Sequence, residues 1–444
     1  MLENPASGLF LAPGLGKTIC TLQAFDILRD EKIIKNMLIV AKLRIINSTW
    51  PREISKWGFD YKVHTLHGKD KDKLLKEKAD VYLINYEGLP WLYEQLVKKK
   101  VGTNIDMIVL DESSKIKNTR TQRFKLVKKM MPLFKRRHIL TGSPAPNNLL
   151  DLFGQIFFLD GGEALGRYIT HYRNMYFYPT GYMGYEFKLQ DGAEEQIYDR
   201  VAPIVLRFGH DLIDMPPLQK RTVDIEFTKA SRKKYVEMEN HFITMIKDKT
   251  VTASNAGVKT QKLRQMANGS VYDENGKIVV IHEEKIEALK ELIDELQGDP
   301  CLVGYEFDHD LKALQRHFPD VPYIGRGVNS KKQNKIEDDW NAGKLPVLFG
   351  QIATVAHGLN LQESGCNVVF YSLTWNLEDY EQFIQRVWRQ GQKNTTIVHH
   401  LMMADSVDQD VMTVLEQKDA TQRALLDALA KRTRQRGMQN GKGI

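Results

Sequence analysis

Short apolar runs alternate with longer amphipathic stretches over about residues 8–149. Each run is bounded by turn-forming or polar residues and is followed by a stretch with helical periodicity, a pattern typical of strands buried on both faces of a parallel sheet. We therefore predict an α/β lobe with a parallel sheet in this part of the chain. The runs that we expect to be strands are GLFL (8–11), MLIV (37–40), VYLI (81–84), MIVL (107–110) and HIL (138–140).

The same alternation returns from about residue 285 and predicts a second α/β lobe. Its expected strands are CLVGY (301–305), VLFG (347–350), NVVFY (367–371) and TIVHHL (396–401). The two lobes flank a section that is richer in aromatic and charged residues. For the aromatic stretch we favour ordinary packing over stacking on bases.

The boundaries follow from changes in this pattern. Pro216 and Pro217 should stop any helix, so the first lobe is expected to end just before them. The predicted segments are a first lobe over 1–214 with an aromatic-rich helical protrusion at about 151–205, a linker with a helical protrusion over 215–280, a second lobe over 281–420 and a basic, disordered tail over 421–444.

The composition is that of a soluble globular protein, since 42% of the residues are hydrophobic and 27% are charged. No apolar stretch is long enough to cross a bilayer and no secretion signal opens the chain, so we expect a cytoplasmic protein without a membrane partner. Cys20, Cys301 and Cys366 lack metal-ligand spacing and indicate no zinc site. The net charge of +7 is compatible with a polyanionic partner, but many enzymes that bind no nucleic acid carry as much.

The segment APGLGKT (12–18) lies between an apolar run and a helical stretch, which is the context of a phosphate-binding loop. Its glycines let the backbone turn N–H groups toward phosphate oxygens, Lys17 would reach the outer phosphates, and Thr18 would offer its hydroxyl to Mg²⁺. Leu11 replaces the first glycine of the general G-x-x-x-x-G-K-[ST] pattern. The loop residues that we predict to bind ATP are Gly14, Leu15, Gly16, Lys17 and Thr18.

Two adjacent carboxylates, Asp111 and Glu112, end the run MIVL. Paired acids at the end of a buried strand are costly unless a cation or a water molecule needs them. We predict that Asp111 holds Mg²⁺ and that Glu112 orients and deprotonates the attacking water. An exposed acidic turn is the alternative, and the phosphate loop upstream disfavours it.

Two segments of the first lobe carry a specific resemblance. DESSKIKN (111–118) resembles the DEAH-type box of helicase superfamily two, with Ser113 and Ser114 in the last two places of the box. LTGSPAPN (140–147) is similar to the LTGTP-x-x-N motif of the Swi/Snf-type (Snf-two) translocases, which couples the ATP state to nucleic acid. The resemblance implies a coupling role for Thr141, Gly142 and Ser143.

Other segments extend the resemblance to both lobes. They are LIVAKLRIINSTWPREISKW (38–57), INYEGL (84–89), LRQMANG (263–269) and ATVAHGLNLQ (353–362). The resemblance implies that residues 41–50, 84–89, 141–147 and 354–362 form an edge that holds DNA mainly through its phosphates, which makes the contacts independent of sequence and sensitive to salt. The DNA-binding residues implied in this way are Lys42, Arg44, Asn85, Tyr86, Asn147, Thr354, His357, Gly358 and Asn360.

The segment QFIQRVWRQGQ (382–392) matches the family pattern Q-x-x-x-R-x-x-R-x-G-Q. Arg386 and Arg389 are spaced at i and i+3, so we expect them to share one face of a helix and to act on phosphate charge that develops during catalysis. The resemblance adds Gln382 to the predicted ATP-binding residues.

The resemblance runs from about residue 8 to 416 and looks most like phage or bacterial members. It implies two RecA-like P-loop lobes with helical insertions, ATP bound between them, and Mg²⁺ as the metal. The implied activity is a DNA-dependent ATPase that tracks along duplex DNA. A strand-separating helicase and a DNA-binding scaffold without turnover are the alternatives. We expect a monomer, located in the host cytoplasm if a phage encodes it. A nuclease, or a replication or recombination protein, is a possible partner.

Family members carry a segment upstream of the phosphate loop in which a glutamine reads adenine. Here the loop begins at residue 12, so such a segment has no room in the sequence. We expect either a natural chain that starts further upstream or weak selection for ATP over GTP.

Overall fold

A computed structural model describes residues 1–12, 14–101, 105–180, 186–208, 215–247, 253–273, 275–356 and 358–440 of the 444-residue chain, with the side chains of residues 186, 241–247, 253–259 and 427–440 left outside this description. The chain divides into two compact units. The first unit contains residues 1–213 and 418–444, and the second contains residues 214–417.

The first unit is built on a seven-stranded sheet whose order is β3-β4-β2-β5-β6-β1-β9, with every neighbouring pair parallel. A separate antiparallel hairpin is formed by β7 and β8. The strands are β1 (Ala6–Leu11), β2 (Met37–Ala41), β3 (Val63–Thr65), β4 (Val81–Asn85), β5 (Met107–Asp111), β6 (Arg136–Thr141), β7 (Phe177–Thr180), β8 (Glu186–Leu189) and β9 (Val205–Phe208).

Both faces of this sheet are covered, which explains why its strands are continuous apolar runs. Leu38 and Val40 of β2 pack into one core cluster, whereas Met37 and Ile39 pack into another, as the alternation of side chains along a strand requires. The helices of the first unit are α1 (Lys17–Asp30), α2 (Trp50–Lys56), α3 (Lys71–Lys76), α4 (Leu89–Tyr93), α5 (Gln122–Met130), α6 (Leu152–Asp160), α7 (Ile169–Tyr176) and α8 (Ala193–Val201).

The second unit is built on a six-stranded parallel sheet with the order β10-β17-β16-β13-β15-β14. A short antiparallel pair is formed by β11 and β12. The strands are β10 (Leu218–Ile225), β11 (Ser270–Tyr272), β12 (Ile278–Val280), β13 (Cys301–Tyr305), β14 (Tyr323–Ile324), β15 (Val347–Gln351), β16 (Asn367–Phe370) and β17 (Thr396–Met403).

Eight helices are described in or entering from the second unit, and the last of them continues beyond residue 417. They are α9 (Lys229–Lys247), α10 (Ala253–Ala267), α11 (Glu284–Glu295), α12 (Asp308–His317), α13 (Ser330–Asn341), α14 (Ile352–Val355), α15 (Leu377–Ile384) and α16 (Val407–Asn440). The prediction of two α/β lobes with parallel sheets is thus confirmed. Among the described residues, no helix combines the length and the apolar character that a membrane span requires.

Three predicted segments differ from the structure. The linker expected over 215–280 contains β10, an edge strand that pairs in parallel with β17; its exposed polar positions hid the strand pattern. The protrusion expected at about 151–205 begins with α6, which is buried from Leu152 to Leu159 and belongs to the core. Where a disordered tail was expected from residue 421, α16 continues to Asn440, because Leu425 and Leu426 pack into the core of the first unit.

A buried histidine should make the first unit sensitive to acid. Burial, reinforced by the charge of Arg136, lowers the pKa of His138 to about 3, while Ser7 Oγ hydrogen-bonds its Nδ1 at 2.9 Å. The unfolded chain has an ordinary histidine pKa of about 6.5, so this stabilisation is complete above pH 6.5 and is lost as the pH falls toward 3. Between pH 7 and pH 5 we expect a loss of about 2 kcal/mol from this residue.

Chemical denaturation of wild type and of His138→Leu at pH 7 and pH 5 measures this contribution. The variant should be less stable at pH 7, because Ser7 Oγ loses its partner, but its stability should fall less between the two pH values. An equal fall in both proteins would contradict the assignment to His138.

Candidate active site

The phosphate loop joins β1 to α1 at the carboxyl edge of the first sheet. Gly14 and Gly16 have φ values of 84° and 74°, a left-handed conformation that strains any residue with a side chain. Gly16 also precedes the first turn of α1, and the N-terminus of a helix favours an anion. Lys17 Nζ donates to Leu11 O at 2.8 Å, and Thr18 is the second residue of the helix.

Asp111 ends β5 and is half-buried, and its carboxylate is desolvated by the groups around it. Burial raises its pKa, while the charge of Lys17, a hydrogen bond from Trp50 and the charge of Lys42 all act in the opposite direction. Trp50 Nε1 donates to Asp111 Oδ2 at 3.0 Å. Because the net effect is a raised pKa of Asp111, these groups do not fully compensate for the lost hydration of the charged carboxylate. A divalent cation would complete that compensation, so the residues present fit Mg²⁺.

Glu112 stands in a strained backbone conformation immediately after the strand. Its φ and ψ are 55° and 58°, in the left-handed region, which costs a non-glycine residue about 1–3 kcal/mol. Tyr86 helps to hold this turn, because its hydroxyl donates to Asp111 O at 2.8 Å and approaches Glu112 O at 3.4 Å. Strain of this kind is concentrated at functional sites, where the backbone aims a side chain in one direction.

Two residues that the resemblance assigned to DNA take part in this arrangement. Tyr86 is 2% exposed, so its ring lies inside the unit and its hydroxyl supports the carboxylate strand. Lys42 follows β2 and its charge favours the ionised form of Asp111. Their contacts with DNA stay predictions, but both side chains have a role in the site that the sequence did not reveal.

The remaining predicted DNA contacts of the first unit differ in exposure. Asn147 is exposed, and both its backbone N and its side-chain Nδ2 donate to Asp151 Oδ2, at 3.0 and 2.9 Å. Asn85 is buried and donates to Glu87 at 3.0 Å. Arg44 is half-buried, and its carbonyl accepts a hydrogen bond from Ser48.

The coupling segment follows β6. Thr141 is fully buried, and its Oγ1 accepts a hydrogen bond from the backbone N of Ser143 at 3.0 Å. Gly142 lies between them and is half-buried. The three residues therefore form a compact turn at the end of the strand next to β5.

In the second unit, the predicted DNA-binding residues cluster after β15. Thr354 Oγ1 donates to Gln351 Oε1 at 2.9 Å, and Gly358 has a φ of 78°. The backbone N of Asn360 donates to Glu337 Oε1 at 2.9 Å. His357 lies outside the described residues.

The prediction that Arg386 and Arg389 share a helical face is wrong. Helix α15 ends at Ile384, and both arginines lie in the tight turns that follow it. After Ile384 the backbone hydrogen bonds span three residues, from Arg386 N to Phe383 O and from Val387 N to Ile384 O, which ends the α-helix. Further along, Gly391 has a φ of 100°.

Arg386 nevertheless has a defined position. Its Nη1 donates to Leu359 O at 2.9 Å and its Nε donates to Gln382 O at 3.0 Å, so its guanidinium joins the segment after α14 to the end of α15. Gln382 is buried, and Arg389 is half-buried. Their proposed contact with ATP stays a prediction.

Sequence reasoning missed Trp50 as a member of the site. It lies on the first turn of α2, fully buried, and reaches Asp111 across 61 residues of sequence. A buried indole N–H needs a hydrogen-bond acceptor, so the tryptophan in the segment 38–57 indicated that some acceptor lies nearby. The identity of that acceptor depends on the sheet order, which places β5 beside β2.

Comparison with known proteins gives a consistent result. The SNF2-related domain matches residues 2–274, and the helicase conserved C-terminal domain matches residues 284–391. Protein p41 of Acyrthosiphon pisum secondary endosymbiont phage 1 is 33% identical, over 97% of this chain and 96% of its own length. The yeast ISWI chromatin-remodeling complex ATPase ISW1 is 25% identical over 94% of this chain, but the matched region covers 38% of that protein.

Among solved structures, the Sulfolobus solfataricus SWI2/SNF2 ATPase core in complex with dsDNA aligns over 95% of this chain and 89% of that chain. The sequence identity is 23% and the TM-score is 0.43.

The hydrogen bond from Trp50 should set the acid limit of activity. Trp50→Phe removes the donor, so the charged form of Asp111 loses stabilisation and its pKa rises further. A hydrogen bond to a charged group contributes about 1.5–3 kcal/mol, which corresponds to roughly one to two pH units. The acid limb of the pH–kcat profile for ATP hydrolysis should move upward by that amount. At pH values above this limb the Mg²⁺ concentration for half-maximal rate should not rise, because the less compensated carboxylate attracts the cation at least as strongly.

Trp57→Phe is the matched control, because Trp57 Nε1 donates to the Glu53 carboxylate at 2.8 Å on the exposed side of the same region. Trp57→Phe should leave both the acid limb of the pH–kcat profile and the Mg²⁺ dependence of the rate unchanged. A Trp50→Phe enzyme with the wild-type profile would show that this bond does not tune Asp111.

Proposed function

Because this chain belongs to the SNF2-related family and carries a helicase-type C-terminal domain, we propose that it is an ATP-driven motor that translocates along duplex DNA. The observation that carries the ATPase part is the combination of the phosphate loop with the desolvated Asp111 carboxylate at one edge of one sheet. The resemblance of the motifs to those of the Swi/Snf-type translocases supports duplex DNA as the molecule along which the protein moves.

The chemistry can be assigned residue by residue within the first unit. The backbone of the loop around Gly14 and Gly16 would hold the phosphates of ATP, with Lys17 released from Leu11 O to reach them. Thr18 and Asp111 would hold Mg²⁺, which offsets phosphate charge when bound. Glu112, fixed by its strained backbone, would accept the proton of the attacking water.

The DNA part of the proposal is supported by the exposure of Asn147 and by the positions of Gly358 and Asn360 in the loop after α14, close in sequence to Thr354. Loops on a rigid sheet commonly carry binding residues. The yeast relative ISW1 carries a chromatin-remodeling name, but this chain matches only 38% of it, so its complexes are not transferred. Strand separation on the same fold is the rival function.

Duplex DNA should raise ATP turnover more than single-stranded DNA does. The stimulation should fall steeply between 50 and 200 mM salt, because counterions replace phosphate contacts. The protein should displace the third strand of a triplex in an ATP-dependent reaction without unwinding a tailed duplex. Phosphate release and strand displacement measure the two activities, with Glu112→Gln as the control that binds ATP without turnover.

Equal stimulation by both forms of DNA, together with unwinding, would identify a strand-separating helicase. Binding to duplex DNA without any phosphate release would identify a scaffold.

Arg389 should act on the chemical step. On the scale of an arginine finger, Arg389→Ala should lower DNA-stimulated kcat by roughly 10³-fold, because charge that develops on the transferred phosphoryl group loses its partner. The affinity for ATP should change far less. Single-turnover hydrolysis and nucleotide binding separate the two effects. A variant that loses affinity but hydrolyses bound ATP at the wild-type rate would make Arg389 a binding residue.

A further inference from the structure

A buried glutamine connects three segments of the first unit. Gln155, on α6, is fully buried. Its Nε2 donates to Pro144 O at 2.6 Å and to Asp151 O at 2.9 Å. Its Oε1 accepts a hydrogen bond from Ser113 Oγ at 2.7 Å. The side chain therefore joins the residue after Glu112 to the turn that follows the coupling segment.

The chemistry of the partners fixes the orientation of this amide. Backbone carbonyl oxygens can only accept, so the NH₂ group must face Pro144 and Asp151. Oε1 is then turned toward Ser113, whose hydroxyl must be the donor. Both amide protons and one oxygen lone pair are engaged, and a flipped amide would leave three buried groups mismatched. Gln155 can hold this arrangement in one orientation only.

The backbone around Gln155 is also closely packed. Gly154 lies so near the turn after Ser113 that a Cβ at this position would collide with the carbonyl oxygen of Ile116. Helix α6 and the turn therefore cannot move independently by more than a small amount. A displacement of one is transmitted to the other.

The same network reaches the surface. Asp151, at the start of α6, accepts two hydrogen bonds from exposed Asn147 and pairs with Lys117 Nζ at 3.3 Å. Its carbonyl accepts from Gln155. A continuous set of hydrogen bonds thus runs from Asn147 through Asp151 and Gln155 to Ser113, the neighbour of Glu112 in the chain.

We propose that Gln155 is a positioning residue through which DNA bound at Asn147 sets the position of Glu112. The inference rests on the proposed function, since it requires that DNA stimulates hydrolysis. Contact of DNA with Asn147 would fix Asp151 and the first turn of α6. Gln155 would then hold Ser113, and the strained Glu112 beside it, in the arrangement that accepts a proton from water.

The test measures the ratio of DNA-stimulated to basal kcat in wild type, Ser113→Ala, Gln155→Met and the double variant. Methionine has about the size of glutamine but cannot make these hydrogen bonds. Each single variant should lower the ratio at least tenfold, and the double variant should lower it no further, because both changes break one connection. The Kd for duplex DNA should stay within about threefold of wild type, since Asn147 is retained.

Ser7→Ala is the matched control. It removes a buried serine hydrogen bond of the same unit, to His138, without touching the network. It should lower the midpoint of thermal unfolding while leaving the ratio unchanged. If Gln155→Met does not fold, Ser113→Ala alone still decides, because it deletes a single oxygen.

The inference is overturned if the variants unfold at lower temperature yet keep the wild-type ratio, since Gln155 would then be structural only. Additive losses in the double variant would also overturn it. If DNA does not stimulate ATP hydrolysis by the wild-type protein, the proposed function itself is wrong. That result is distinguishable from a loss of stimulation in the variants alone.

Discussion

The arrangement of the first unit depends on the cost of burying the charge of Asp111. Taking a carboxylate out of water is expensive, and here the compensating groups reach it from separate parts of the chain. Lys17 comes from the start of α1, Lys42 from the residue after β2, and Trp50 from α2. They meet because the carboxyl ends of parallel strands share one edge of the sheet. The compensation is incomplete, which leaves the site able to take a cation.

Much of this organisation could be predicted from the sequence. The apolar runs located the central strands, because strands buried on both faces need no polar positions. The phosphate loop and the paired carboxylates were recognisable from short patterns, since their chemistry tolerates few residue types. What a pattern cannot give is a partner that is distant in sequence. Trp50 and Asp111 are an example, and Ser113 and Gln155 are another.

The errors have physical causes as well. Edge strand β10 is mostly exposed, so its polar residues resembled a linker. The end of α15 is set by local hydrogen bonds that tighten the turns before Gly391, and the i, i+3 spacing of Arg386 and Arg389 was compatible with a longer helix. In α16 the basic residues dominated the composition, whereas Leu425 and Leu426 determined the outcome. Burial of a few apolar side chains outweighed the average charge of the segment.

The return of α16 to the first unit has a consequence for synthesis on the ribosome. The sheet of this unit is complete when β9 has been made, but Leu425 and Leu426 of its core are then still to be translated. Roughly 200 further residues must be added, which takes on the order of 10–40 s at ~5–20 residues per second. During that interval the nascent first unit exposes the apolar surface that these leucines later cover. The amino-terminal unit therefore begins to fold first and finishes last.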